Sequence, residues 1–147
     1  MNSKEKKIVI TSAVRTAIGT FNGSLKDKQG HELGSIVAKE ALKKSNLNVN
    51  EIDELIMGQV LTGGVGQNSA RQTAINTGLP IEKTAYVINQ VCGSGLRSVA
   101  AGYQAIIAND SKIVIAGGQE SMTNAPLAIN FRKEKKLKKS NLIDTMI

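Results

Sequence analysis

Apolar positions along this chain recur with two alternating periods, and the alternation predicts the elements. Lys7-Ile8-Val9-Ile10-Thr11 is nearly continuous in β-branched residues, as in a strand buried on both faces of a parallel sheet, and it is expected at the sheet's centre. Leu33, Ile36, Val37, Ala41 and Leu42 repeat at helical spacing. They predict a helix from His31 to Ser45 with these side chains inward and Glu40 and Lys44 paired outside. A second apolar run, Leu55 to Leu61, leads to Gly63, Gly64 and Gly66. A short helix then follows a cap at Gln67 or Asn68 and stops at Gly78 and Pro80. Ala85-Tyr86-Val87-Ile88 is a third strand. Leu96, Val99, Ala100, Tyr103, Ile106 and Ile107 follow at i, i+3, i+4, i+7, i+10 and i+11, which predicts a helix burying that face. Lys112 to Ala116 is a fourth strand, running into Gly117-Gly118.

The predicted order is β-α-β-α-β-α-β, an α/β domain whose mostly parallel sheet carries helices on both faces. Sites in such folds lie beyond the carboxyl ends of the strands. After Ser121 the periodicity lapses, so residues 1–121 are expected to form the domain core. Residues 122–147 are expected to open a loop region with a basic stretch.

The chemistry-bearing position is the single cysteine, Cys92, in Asn89-Gln90-Val91-Cys92-Gly93-Ser94-Gly95-Leu96. It falls where the third strand ends and a helix begins. There the positive end of the helix dipole favours a thiolate, and free backbone N–H groups are suited to an oxyanion. Two readings stand for it from pattern alone. One is a nucleophile opened to a substrate carbonyl by Gly93 and Gly95, and the other is a small buried hydrophobe, the commoner fate of cysteine. His31 reads as a helix-end residue or a catalyst, and with no second ligand beside it a metal site is not expected. Arg15 in the loop from Ser12 to Gly30 reads as a tie for that loop or as a ligand contact. The Gly63, Gly64, Gly66 loop fits neither dinucleotide nor P-loop spacing.

Composition narrows the class. At 147 residues and 41% hydrophobic content, one compact domain is expected. One cysteine excludes an internal disulfide, no apolar run approaches membrane-spanning length, and the charged start lacks a signal-peptide pattern, so a cytoplasmic protein is expected. The net charge of +7 is local. Lys4, Lys6 and Lys7 oppose Glu5, and Arg132, Lys133, Lys135, Lys136, Lys138 and Lys139 oppose Glu134, while residues 8–131 hold ten basic and nine acidic groups. With no Trp, two Tyr and two Phe to stack on bases, nucleic acid is not an expected partner.

Several motifs in order resemble the first part of a thiolase of the acetyl-CoA acetyltransferase type. They are Thr11-Ser12-Ala13-Val14-Arg15-Thr16 with Phe21-Asn22-Gly23, His31-Glu32-Leu33-Gly34, Gly58-Gln59-Val60-Leu61, Gly66-Gln67-Asn68-Ser69-Ala70-Arg71-Gln72, the Cys92 motif, and Gly117-Gly118-Gln119-Glu120-Ser121-Met122. The similarity runs to Ile143-Asp144-Thr145-Met146, with two departures: the family usually has Met where Gln119 stands and Pro where Ser69 stands. The resemblance implies that Cys92 takes an acyl group from acyl-CoA as a thioester. A second CoA thioester, deprotonated at its α-carbon, then attacks it. The reverse reaction is thiolysis of a 3-ketoacyl-CoA such as acetoacetyl-CoA, the substrate that the Cys-Gly-Ser-Gly-Leu form favours.

It implies coenzyme A thioesters as substrates, no permanently bound cofactor, and a homo-oligomer or a complementary carboxyl-terminal half as partner. The family's Gly-His-Pro and Cys-x-Gly-Gly motifs, its second domain and the last strand of this domain are absent from the chain. The expectation is therefore an incomplete amino-terminal portion, inactive alone. The alternatives are a non-catalytic thiolase-like fragment, an oligomerisation module, or a remnant without function.

Overall fold

A computed structural model of the chain describes residues 7–130, 132 and 142–147; the basic stretch from Lys133 to Lys139 and the lysines before Lys7 lie outside them. Three parallel strands form the sheet: β1 (Glu54–Gly58), β2 (Thr84–Ile88) and β3 (Val114–Gly118), in the order β2-β1-β3. Around them run α1 (Gly30–Ser45), α2 (Ser69–Thr77) and α3 (Ser94–Ala108). A two-residue antiparallel ladder joins β4 (Leu127–Ala128) to β5 (Ile143–Asp144). The expected α/β class with a parallel sheet is present.

The central strand is β1. Leu55, Ile56 and Met57 are each at most 1% exposed, which is what a strand covered on both faces requires. Leu55 and Met57 point to the α1 and α2 side, where they form the core with Leu42, Ile52, Ala70, Ala74 and Leu79. By strand alternation Ile56 points the other way, toward α3. Asn68 caps α2, its Oδ1 accepting the Arg71 N–H at 3.0 Å while its Nδ2 donates to the Ala85 carbonyl at 2.9 Å. Gly78 ends that helix at φ +101°, a conformation that favours glycine.

Two expectations fail here. The run from Lys7 to Thr11 is not a strand and does not sit at the centre: it pairs with no strand among the described residues, and Val9 and Ile10 are 72% and 77% exposed. Its β-branched side chains suit a buried ladder, but neither edge of the three-stranded sheet lies against it. Helix α3 also turns a different face inward. Ser94, Ser98 and Gly102 are its buried residues, while Leu96, Tyr103 and Ile107 are exposed. Small side chains at i, i+4 and i+8 let the helix axis approach the sheet closely, which the bulky stripe would prevent. Helix α1 shows the same preference, burying Gly30, Gly34, Ser35, Ala38 and Leu42 and leaving Ile36 exposed.

The approach of α3 is closest at the carboxyl ends of the strands. A Cβ on Gly58 would overlap the Ser94 carbonyl carbon and stand 2.5 Å from the Gly95 nitrogen, and one on Gly118 would stand 3.2 Å from the Gly95 Cα. At the opposite end the sheet is fixed by Asp53. Its Oδ2 accepts the Lys112 and Ile113 N–H groups at 2.8 and 3.2 Å, and its Oδ1 faces Lys83 Nζ at 3.4 Å. The Lys112 amide bond, with lesser help from the Ile113 amide and Lys83 and against some desolvation, holds the carboxyl below its ordinary value.

Gly58→Ala is expected to destabilise the fold by about 3 kcal/mol or more, since backbone must move to admit the methyl group. Gly78→Ala, with nothing within 4 Å of the new carbon, should cost only its left-handed strain, about 1–2 kcal/mol. Urea unfolding of both variants checks the order, and equal losses would contradict the close contact. Because the folded Asp53 carboxyl lies below its unfolded value of 3.8, its contribution is present above that pH and disappears as pH falls through the lower folded value. Asp53→Asn should therefore be less stable than the parent at neutral pH, with the gap closing as pH falls below 3.8. A gap that is independent of pH would rule this out.

Candidate active site

The strand ends, the loops leaving them and the start of α3 build one rim. Strand β2 ends at Ile88, and Cys92 follows four residues later, two residues ahead of α3 and exposed. Exposure removes the buried-hydrophobe reading of this cysteine. The connecting turn is tight and held from several directions. Val91 stands at φ +49°, a region that costs an L-residue roughly 1–2 kcal/mol and is rare for a β-branched one. Its N–H donates to Asn89 Oδ1 at 3.0 Å. The Ser94 hydroxyl accepts the Gln90 N–H at 2.8 Å and donates to the Val91 carbonyl at 2.6 Å. The N–H groups of Gly93 and Ser94 donate to the Gln90 and Val91 carbonyls at 3.0 and 3.1 Å. Of the N–H groups at this helix start, those of Gly93 and Ser94 are thus already engaged in the turn.

Behind the rim lies a buried polar cluster. Gln59 Oε1 accepts from Ser69 Oγ at 2.6 Å and from Gln119 Nε2 at 2.9 Å, while Gln119 Oε1 accepts from Thr73 Oγ1 at 2.6 Å. Ser69 and Gln119, the two departures from the family pattern, therefore meet on one oxygen. Helix α1 rests on this cluster through Gly34, where a Cβ would collide with Gln119 Oε1. The Glu120 carboxylate accepts the Val60 and Leu61 N–H groups at 2.8 and 3.2 Å, tying the loop after β3 to the loop after β1. Gln59, Ser69, Ser94, Gln119 and Glu120 all stand in motifs read from the sequence, but spacing alone carried no signal of these bonds.

His31 is not brought to Cys92. It sits in the first turn of α1, lining a cavity of about 220 Å³ with Gln29, Gly63, Gly64, Asn124 and Pro126, and its Nδ1 is buried without a hydrogen-bond partner among the described residues. Arg15 stays exposed with no hydrogen bond or ion pair among the described residues, so it does not tie its loop there. That work falls to Asn124, whose Nδ2 donates to the Lys26 and Lys28 carbonyls at 2.8 and 3.1 Å. A larger open cavity of about 630 Å³ lies at the other end of the sheet, lined by Asp53, Glu54, Thr84, Tyr86 and Gln104. Burial, then the Glu54 charge, with Arg97 opposing, raises the Tyr86 hydroxyl above its ordinary value there. Among the described residues no three His, Cys, Asp or Glu side chains converge as metal ligands.

Residues 8–147 match the family model described as thiolase, N-terminal domain. The chain is 51% identical over 140 residues to an acetyl-CoA acetyltransferase of Rhizobium meliloti and 50% identical over 141 residues to one of Paracoccus denitrificans. These alignments take in 95% and 96% of this chain and 36% of each relative. Among solved structures it is similar to the Acat5 thiolase of Ascaris suum in complex with coenzyme A, with a TM-score of 0.89 and 40% identity over 94% of this chain and 36% of that one. The chain thus spans about a third of the length of the relatives it matches.

Removing the Glu120 carboxylate should free the loop after β1 without opening the sheet. In Glu120→Ala, amide hydrogen exchange at Val60 and Leu61 is expected to speed up by about tenfold or more, while Met57 in the central strand stays protected. Unchanged exchange at Val60 and Leu61 would show that the carboxylate does not hold them.

Proposed function

The chain belongs to the thiolase family, and from that premise we propose that it serves thiolase-type acyl transfer with Cys92 as the acyl-carrying nucleophile. The observation that carries this reading is the exposed Cys92 at the strand-to-helix turn, in a chain half identical to two acetyl-CoA acetyltransferases. The sulfur, as thiolate, attacks the carbonyl carbon of acetyl-CoA. The bond from that carbon to the coenzyme A sulfur breaks, and coenzyme A leaves as a thiol on taking up a proton. A second acetyl-CoA, having lost its α-proton to a base, forms a carbon–carbon bond to the acyl carbon. The bond to Cys92 then breaks, giving acetoacetyl-CoA and the thiolate again. Run backward, the steps are thiolysis. Coenzyme A is substrate here and not a resident cofactor.

Two bases are needed, one for Cys92 and one for the α-proton. His31 lines a separate cavity beside Gly63, Gly64 and Asn124, and the sequence contains no second cysteine and no second histidine. The reading takes the remaining groups from a complementary carboxyl-terminal half or another thiolase chain. The exposed apolar stripe of α3, with Leu96 78% exposed and Tyr103 55% exposed, favours such a partner, because burying it is worth roughly 25 cal/mol per Å². No helix among the described residues is long and apolar enough to cross a membrane, and the reading places the reaction in the cytoplasm without membrane or nucleic acid. The same stripe favours a second reading, a non-catalytic module that docks on a homologous chain.

The assay is thiolysis of acetoacetyl-CoA by the purified chain, alone and with the separately expressed remainder of the Rhizobium meliloti relative. Alone, no turnover is expected, since each proton-transfer group typically contributes about 10²–10⁴-fold and the losses do not simply add. With the remainder present, activity should appear and be abolished by Cys92→Ala. Turnover by the chain alone that depends on Cys92 would require a base within these residues. A stable but inactive complex would favour the docking-module reading.

A further inference from the structure

We propose that Ser94 is a positioning residue for Cys92, its hydroxyl being the post on which the turn presenting the sulfur is hung. This rests on the reading of Cys92 as the acyl-carrying nucleophile. Ser94 is 4% exposed, and its hydroxyl has two bonds, both to the segment just before the cysteine: it accepts from the Gln90 N–H at 2.8 Å and donates to the Val91 carbonyl at 2.6 Å. Serine at a helix start ordinarily accepts from the second or third N–H of its own helix. Ser94 does the reverse. It is the first helical residue, after an N-cap Gly93 that makes no side-chain cap bond, and it satisfies none of the helix's own amides.

The post is itself fixed, because the Ser94 backbone lies against Gly58, where there is no room even for a methyl group. What hangs on it is strained, since Val91 is held at φ +49° in a region a β-branched residue leaves unless its surroundings impose it. Cys92 is the next residue, so the direction of its Cβ follows from Val91. Losing the Ser94 hydroxyl removes one bond from each of Gln90 and Val91, leaving the turn to the backbone bonds and Asn89, and the sulfur then samples positions away from the helix start. Ser98 supplies the comparison. It is fully buried and its hydroxyl lies 2.6 Å from the Gly95 and Gly117 carbonyls, so it ties α3 to β3 without touching the turn.

The test measures iodoacetamide alkylation of Cys92 in the purified chain across a pH range, beside urea unfolding, for the parent, Ser94→Ala, Ser98→Ala and Asn89→Ala. Both serine variants should lose stability. Only Ser94→Ala should change the alkylation rate, by about threefold or more, and displace its pH profile. Asn89→Ala removes the other side-chain bond to Val91, at an exposed residue, and it should displace the profile in the same direction even if Ser94→Ala does not fold. An unchanged profile in Asn89→Ala and in a folded Ser94→Ala, or an equal change in Ser98→Ala, overturns the proposal. In the complemented complex, Ser94→Ala should lower kcat rather than raise KM, by up to about 100-fold for a displaced reacting atom. Activity that survives Cys92→Ala would sink the nucleophile reading instead, an outcome distinct from an unmoved alkylation profile.

Discussion

The contact on which the rest of the structure depends is made without side chains: the first turn of α3 rests on the carboxyl ends of β1 and β3 through Gly58, Gly95 and Gly118. A methyl group at Gly58 would push the helix start outward, and with it Ser94, the turn from Asn89 to Gly93, and Cys92. The sheet could still form with the helix displaced, because the pairing of β1 with β2 and β3 does not involve α3. The rim would lose its shape. The glycines thus set the height at which the sulfur stands above the strand ends, and hydroxyl and amide bonds set its direction.

The two ends of the sheet are secured by different means. At the amino ends a charged group does the work, Asp53 gathering two amides of the β3 entry and the Lys83 ammonium. Beside Cys92 the groups holding the turn are neutral: the Asn89 amide, the Ser94 hydroxyl and the backbone. Neutral bonds of this kind are directional and insensitive to salt, so the turn keeps its geometry without placing a fixed charge next to the nucleophile. The charged tie at this end of the sheet, Glu120 to Val60 and Leu61, acts on the loop after β1.

Much of this was legible in the residues. Helix α1 begins within one residue of its predicted start, Asn68 caps α2, Gly78 ends it, and Cys92 stands at a strand-to-helix turn. Periodicity failed where it equates apolar with buried. In α3 the bulky stripe through Leu96 and Tyr103 announced an inward face, yet the helix packs through Ser94, Ser98 and Gly102, because close packing on a sheet rewards small residues. In the stretch Lys7 to Thr11 the composition was right for a strand, but a strand needs a neighbour as well as a composition. The bonds of Ser94 were out of reach for another reason: a hydroxyl reaching back three and four residues leaves no periodic trace.

Ser69 and Gln119 lie 50 positions apart in the sequence, yet both end on the same oxygen of Gln59. That shared acceptor makes the history of the two positions interdependent. A change from Gln119 to an apolar side chain leaves the Thr73 hydroxyl with the Ser69 carbonyl at 3.0 Å as its close acceptor and removes half of the Gln59 side-chain carbonyl's bonding. A change at Ser69 removes the other half. Each single step leaves the buried Gln59 oxygen with one hydrogen bond in place of two, a loss of about 0.5–1.5 kcal/mol in domains whose whole margin is about 5–15 kcal/mol. Drift from one solution to the other is therefore contingent on order: whichever residue changes first must be tolerated until the second follows, so each position constrains which substitutions the other will accept.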